Sequence, residues 1–236
     1  MHISALFLLS ATFATFARAG IIPIESRVFP PHPSFWKRTS CDLQRAVLPL
    51  RGTAPELPPP GPGLIPKHVA LGRGTQNYTC ADDAETTKPV AIGALATLYD
   101  VSCLVTSNPK ALDDLTTRSL DLGADGFDSL INRKVPKGRH IEGIHYFMGS
   151  IPFFDYRRGD CEDWAMVSVS DKVPAPDGSH QGDNGAVDWL QLLFSEGSGI
   201  QKIYRVKTAS GKAPSTCAGM GSSFEVKYAA QYWAYG

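Results

Sequence analysis

GRGTQNYTC, residues 72–80, packs two close glycines, a glycosylation sequon and a cysteine into nine residues, and its reading decides the fold. A dinucleotide-binding turn needs a strand, three glycines in G-x-G-x-x-G order, and a helix whose N-terminus faces the pyrophosphate. Gly72 and Gly74 fit the first two positions, but Asn77 stands where the third glycine belongs. The residues that follow, Tyr78-Thr79-Cys80, favour a strand over a helix. No alternation of strands and helices surrounds the segment. GMGSSF at 219–224 fails in the same way, because strand-forming residues follow it. The glycines therefore belong inside a strand, where they permit bending or close packing. Period two then sets Gln76, Tyr78 and Cys80 on one face and Asn77 and Thr79 on the other. If the first face is the core, Asn77 of the sequon Asn77-Tyr78-Thr79 points to solvent as a glycosylation candidate.

Strand signals continue outward from this segment. In SFEVKYAAQYWAYG at the C-terminus, Phe224, Val226, Tyr228, Ala230 and Tyr232 alternate with Glu225, Lys227 and Gln231, the pattern of a half-buried strand. IQKIYRVKT around Tyr204 and Val206 alternates similarly, and KPVAIGALATLYDVSC, HYFMGSIPFFDY, WAMVSVSD and AVDWLQLLF complete the set. The last of these is short enough to be read as a helix as well. One helix is expected after Asn108-Pro109, with Asn108 as N-cap, Pro109 at N1, and Leu112 and Leu115 on one face. The polar, glycine-bearing stretch from Thr116 to Arg139 reads as a long surface loop. The expected fold is mainly β: a single-domain β-sandwich or closed β-barrel with one short helix and long surface loops.

The ends set the compartment. An apolar run from Ala5 to Ala17 leads into Ala17-Arg18-Ala19, a signal-peptidase pattern that puts cleavage before Gly20. The run is shorter than the roughly 20 apolar residues needed to span a bilayer. Residues 1–19 are thus expected to be a signal peptide. Residues 20–66 are a Pro-rich leader and strap, with a dibasic Lys37-Arg38 pair and the segment APELPPPGPGLIP at 54–66. Stacked prolines there favour extended conformation. Residues 67–236 are the β domain. Lys plus Arg and Asp plus Glu are both 23, so no strong field draws nucleic acid or an anionic membrane, and neither is expected as a partner. Secretion makes disulfides possible for the five cysteines, Cys41, Cys80, Cys103, Cys161 and Cys217. No pair has Cys-x-x-Cys spacing, which argues against a zinc site. Two disulfides and one spare thiol are expected, with Cys161 in the charged segment DYRRGDCEDW as the spare.

Three motifs, ALGRGTQNYTC (70–80), YRVKTASGKAPSTC (204–217) and VKYAAQYWAY (226–235), resemble the signature of a secreted fungal family, domain of unknown function 3455, whose members are often labelled malate dehydrogenase. The resemblance runs from about Cys41 to the end, and the DYRRGDCED segment departs from it. It implies no established activity. The dehydrogenase label finds no support in the residues, which lack a nicotinamide fingerprint, and no cofactor is expected. Because Cys80 and Cys217 both lie in these motifs, the resemblance pairs them and leaves Cys41 for Cys103. The rival pairing, Cys80–Cys103 with Cys41–Cys217, stays open.

Within and beside the motifs, Gln76, His145, Asp155 and Arg205 are ligand-binding candidates. A carboxylate, an imidazole and a guanidinium lining one pocket would hold a small polar ligand. The competing account makes Arg205–Asp155 a buried ion pair and Gln76 and His145 satisfied core residues. HIEGIH (140–145) spaces its histidines wrongly for a metal-binding helix face or a single strand face, so no metal is expected. Ser129 in GFDSL with Asp177 and His180 in DGSH supplies the elements of a secreted esterase, in a polar loop and without α/β alternation. Trp233 and Tyr235 fall on the polar face of the last strand, with Trp164 and Trp189 elsewhere. They form a sugar-binding surface if exposed, and a packing surface if a second layer covers them. The reading is a secreted binding protein for a small or glycan ligand, with a hydrolase as the alternative.

Overall fold

A computed structural model describes residues 41–134, 141–158 and 161–236. The expected signal peptide, the Lys37-Arg38 pair and His140 lie outside the described residues. The strands are β1 (Pro66–Thr79), β2 (Val90–Asp100), β3 (Ile141–Met148), β4 (Ile151–Asp155), β5 (Trp164–Val173), β6 (Trp189–Ser198), β7 (Lys202–Ser210) and β8 (Ser223–Tyr235). They pair in sequence order, each antiparallel to the next, and β8 returns to β1, closing the sheet into a barrel. AVDWLQLLF belongs to the strand β6 and its approach.

GRGTQNYT lies within β1, paired on both sides. Gly72 faces Leu98 of β2 and Ala230 of β8; Gly74 faces Ala96 and Tyr228. The glycines are there for packing. A Cβ on Gly72 would strike the Tyr232 ring, and one on Gly74 would strike the Leu95 carbonyl and lie 2.7 Å from the Ala96 Cα. Alternation then sorts side chains into two cores. Inside the barrel are Ala70, Ala94, Ala96, Ala165, Ala230 and Ala234 with the rings of Phe154, Tyr156, Tyr228 and Tyr232. An eight-stranded barrel has little interior space, so small residues make room for the large ones. Outside, Val69, Leu71, Val206, Ala229 and Trp233 form a second core with the helices.

That outer layer contains more helix than the sequence suggests. α1 (Ser102–Ser107) and α2 (Pro109–Arg118) follow β2, and Asn108 caps α2 by accepting from the Ala111 amide at 3.0 Å. The stretch read as a loop from Thr116 instead contains the end of α2 and all of α3 (Ala124–Lys134). Phe127, Leu130 and Ile131 are buried there; their spacings of three and four make one apolar stripe in an otherwise polar segment. Arg73, on the outer face of β1, donates to the carbonyls of Ser119 and Leu122, at 2.8 and 2.6 Å, and its guanidinium lies 5.0 Å from the centre of the Phe127 ring. It thereby satisfies carbonyls left over past the end of α2 and ties α2 and α3 to the sheet. Asp113 of α2 is held by Lys207 and Gln231 from β7 and β8.

The proline-rich segment is a strap across β6 and β7. Leu57 is buried; the Pro58 carbonyl accepts from Gln191 and Tyr204, and the Pro60 carbonyl from Lys202. Disulfides join Cys41 to Cys103 on α1, and Cys80 to Cys217. The aromatic residues considered for a sugar surface are mostly beneath this covering. Trp233 and Trp189 are 0 and 1 % exposed, and Tyr235 is buried with them. The outward face of β8 is a packing face, because helices and strap supply the second layer. Among the described residues no helix is long and apolar enough to cross a membrane.

Candidate functional site

One mouth of the barrel is a cavity of about 480 Å³. Its walls are Ala94, Phe147, Phe154, Val167, Leu190, Leu192 and Tyr232, and its polar groups include Gln76, His145 and Arg205. Three of the four ligand-binding candidates therefore share a cavity. Ile151 and Val169, 43 and 52 % exposed, also line it, together with the hydroxyl-bearing Ser150, Ser168 and Ser195.

The fourth candidate is elsewhere. Phe154 points into the barrel, so Asp155 points out. Asp155 takes a two-pronged contact from Arg157, Nε to Oδ1 and Nη2 to Oδ2, both 2.9 Å. Burial raises the Asp155 pKa, and the bonds to Arg157 outweigh that and hold it below the usual carboxylate range. The Arg205–Asp155 ion pair considered from sequence is thus not formed. Arg205 instead donates from Nε and Nη2 to the Asp188 carbonyl, at 3.1 and 2.9 Å. Among the described residues no carboxylate forms a salt bridge with it.

His145 is 4 % exposed. Its ring stacks on Phe154 with centroids 4.0 Å apart, and Nδ1 donates to the Phe153 carbonyl at 3.0 Å. That bond makes Nε2 the acceptor of the neutral ring. Burial, reinforced by the Arg205 charge, pushes the imidazole down to about 4, so it is neutral at physiological pH. Gln76 is 8 % exposed; its side chain lies near enough to the Tyr228 hydroxyl to pull that phenol down slightly, yet its Nε2 is buried with no partner at hydrogen-bond distance. The Tyr228 and Tyr232 hydroxyls bond each other at 2.9 Å, and burial raises both phenols above their ordinary values. The cavity thus combines apolar walls with one fixed cation, an unsatisfied amide donor and a neutral imidazole acceptor. Apolar walls with a few convergent polar groups are the ordinary make-up of a small-molecule pocket.

Asn77 sits on the outward face of β1, partly exposed, and its Oδ1 accepts from Thr75 at 3.1 Å. Ser129 is exposed on α3, and His180 Nε2 lies 4.0 Å from Asp121 Oδ1.

A second polar cluster, not foreseen from sequence, lies at the other end of β1. His68 precedes Gln76 by eight residues, roughly 26 Å along an extended strand. It is 1 % exposed and stacks on Tyr156 at 4.2 Å. Its Nδ1 is 3.1 Å from Glu142 Oε2 and its Nε2 is 2.9 Å from Asp163 Oδ2. Burial pulls this imidazole down, but bonds to Asp163, Cys161 and Glu142 together carry it well above its ordinary value. Lys67 reaches Asp163 at 3.1 Å, and Cys161, in neither disulfide, donates to the Tyr156 carbonyl at 3.3 Å. No local spacing announces this cluster; only the inward alternation of His68 with Ala70 hints at it.

A family model described as "Protein of unknown function (DUF3455)" matches residues 60–236. No curated protein and no solved structure matches the chain.

Proposed function

The chain belongs to the DUF3455 family, whose function is unknown, and we propose from the site itself that it is a non-catalytic binding protein for a small amphipathic ligand with an acidic head. The single observation that carries this reading is the pairing of Arg205 with the unpartnered Gln76 amide in one apolar-walled cavity. An unmade hydrogen bond on a buried amide costs about 1–3 kcal/mol, and a carboxylate ligand would supply the missing acceptor. The same carboxylate would give Arg205 a counter-charge. The surrounding Phe147, Phe154, Val167, Leu190 and Leu192 would cover an apolar tail. A concave, apolar-walled mouth suits a small molecule better than a glycan chain, since of the aromatics that would form a flat sugar platform Trp189, Trp233 and Tyr235 are buried and Trp164 alone is partly exposed. The two disulfides support residence in an oxidising compartment, and the proposal places the protein outside the cell.

Calorimetric titration with octanoate, using octanol as the uncharged control, tests the reading. Octanoate is expected to bind the more tightly. Arg205→Met is expected to weaken it by roughly 10–150-fold, the equivalent of a charge-assisted hydrogen bond of about 1.5–3 kcal/mol. Gln76→Leu removes an unsatisfied group, so it should leave the free protein as stable as before while weakening octanoate. Equal affinity for the acid and the alcohol, or an affinity untouched by both variants, refutes the acidic-head reading.

A further inference from the structure

The end of the barrel remote from the cavity holds a different kind of site. His68, Cys161 and Asp163 each offer one ligand atom, and these atoms all lie within 4.8 Å of one another. An imidazole nitrogen, a sulfur and a carboxylate oxygen are the donor set of four-coordinate Zn²⁺ with one position left for water. The sulfur argues against Mg²⁺ or Ca²⁺, which take oxygen ligands. The second observation is Glu142. It meets His68 Nδ1 at 3.1 Å, on the side of the ring away from Asp163. A carboxylate on the non-ligating nitrogen of a metal-bound histidine fixes its tautomer and strengthens it as a donor. Glu142 is itself buried, at 4 % exposure, and the Tyr156 ring stacks on the His68 imidazole and holds its plane.

We propose that His68, Cys161 and Asp163 form a three-ligand site for Zn²⁺ or another thiophilic divalent cation, with Glu142 as the positioning residue behind His68. Binding requires Cys161 to lose its thiol proton and His68 Nε2 to give up the proton it shares with Asp163, both passing to solvent. It also requires the Lys67 ammonium, which reaches both oxygens of Asp163, to give up the one that the metal takes. Lys67 has a long side chain that is 32 % exposed, so it has somewhere to go. The proposal stands independently of the ligand cavity, since the two sites share no residue.

The test is titration of the chelator-treated full-length protein, disulfides intact, with Co²⁺, whose bond to a thiolate absorbs in the near ultraviolet. The wild type should show that absorption at one equivalent, and Zn²⁺ should abolish it. Cys161→Ser should remove the absorption while the circular dichroism stays that of a folded barrel. Asp163→Asn should weaken binding, and Glu142→Gln should keep the absorption but weaken Zn²⁺ by about 10–100-fold. A folded wild type without the absorption, or an absorption unchanged in Cys161→Ser, overturns the site. In that case the cluster is an ion-pair network only. Unchanged Zn²⁺ affinity in Glu142→Gln overturns the role given to Glu142.

Discussion

Acidification should destabilise this barrel through His145, by an amount that follows from its burial. The ring is enclosed by Phe154, Phe147 and Tyr232 and keeps a pKa of about 4, against 6.5 for a histidine in water. The folded-state value is the lower of the two, so between these pH values the unfolded chain carries the extra proton. Stability is therefore fully present above pH 6.5 and is lost as pH falls towards 4, where the loss levels off. A difference of this size corresponds to about 3 kcal/mol, a large fraction of the 5–15 kcal/mol typical of a domain. The comparison is with His145→Phe, which keeps an aromatic ring on Phe154 but cannot titrate. Losing the bond to the Phe153 carbonyl costs the variant about 1 kcal/mol at every pH. Urea unfolding of both proteins at intervals from pH 7.5 to 4 measures the difference. Carboxylates and His68 titrate in both and cancel. The wild type should begin ahead of the variant and fall behind it by pH 4, the difference changing by about 3 kcal/mol. A difference that stays constant across the range refutes the assignment of a buried neutral histidine.

The Cys80–Cys217 disulfide spans 137 residues, for which chain entropy predicts about 5 kcal/mol. Cys217→Ser should therefore lower the urea midpoint steeply, and Cys161→Ser, which opens no loop, should cost about 1 kcal/mol or less. Non-reducing peptide mapping checks the premise, and a peptide joining Cys80 to Cys103 refutes it. For the proposed secretion, N-terminal sequencing of protein from the culture medium should begin at Gly20, or at Thr39 after cleavage at the dibasic pair; an intact Met1 on protein retained in the cell refutes it.

Much of the barrel wall was legible because strand alternation is local. The pattern of SFEVKYAAQYWAY places Tyr228 and Tyr232 together on one face and the outward Gln231 on the other, and GRGTQNYT likewise places Gln76 with Tyr78. Both facts need only the two-residue period of an extended chain. Closure was not legible. Whether a sheet folds onto a second sheet or onto itself depends on β8 reaching β1 across more than a hundred residues, and no local pattern reports that. The α3 stripe of Phe127, Leu130 and Ile131 was hidden by the polar residues around it, and its amphipathic face acquires meaning only once Arg73 and the outer wall of β1 lie beneath it. The site divided along the same line. Gln76, His145 and Arg205 share the cavity because their strands alternate inward together. Asp155 falls outside because it is one residue past the inward Phe154, and neighbouring strands do not share a parity that sequence can supply. His68 and Asp163 are 95 residues apart, and only barrel closure and the β4–β5 turn bring Cys161 and Asp163 to the end of β1. The sequence by itself determined which side of each strand a residue occupies, a property of backbone geometry. Which sides face each other was decided by tertiary structure, since that depends on the register and closure of strands far apart in the chain.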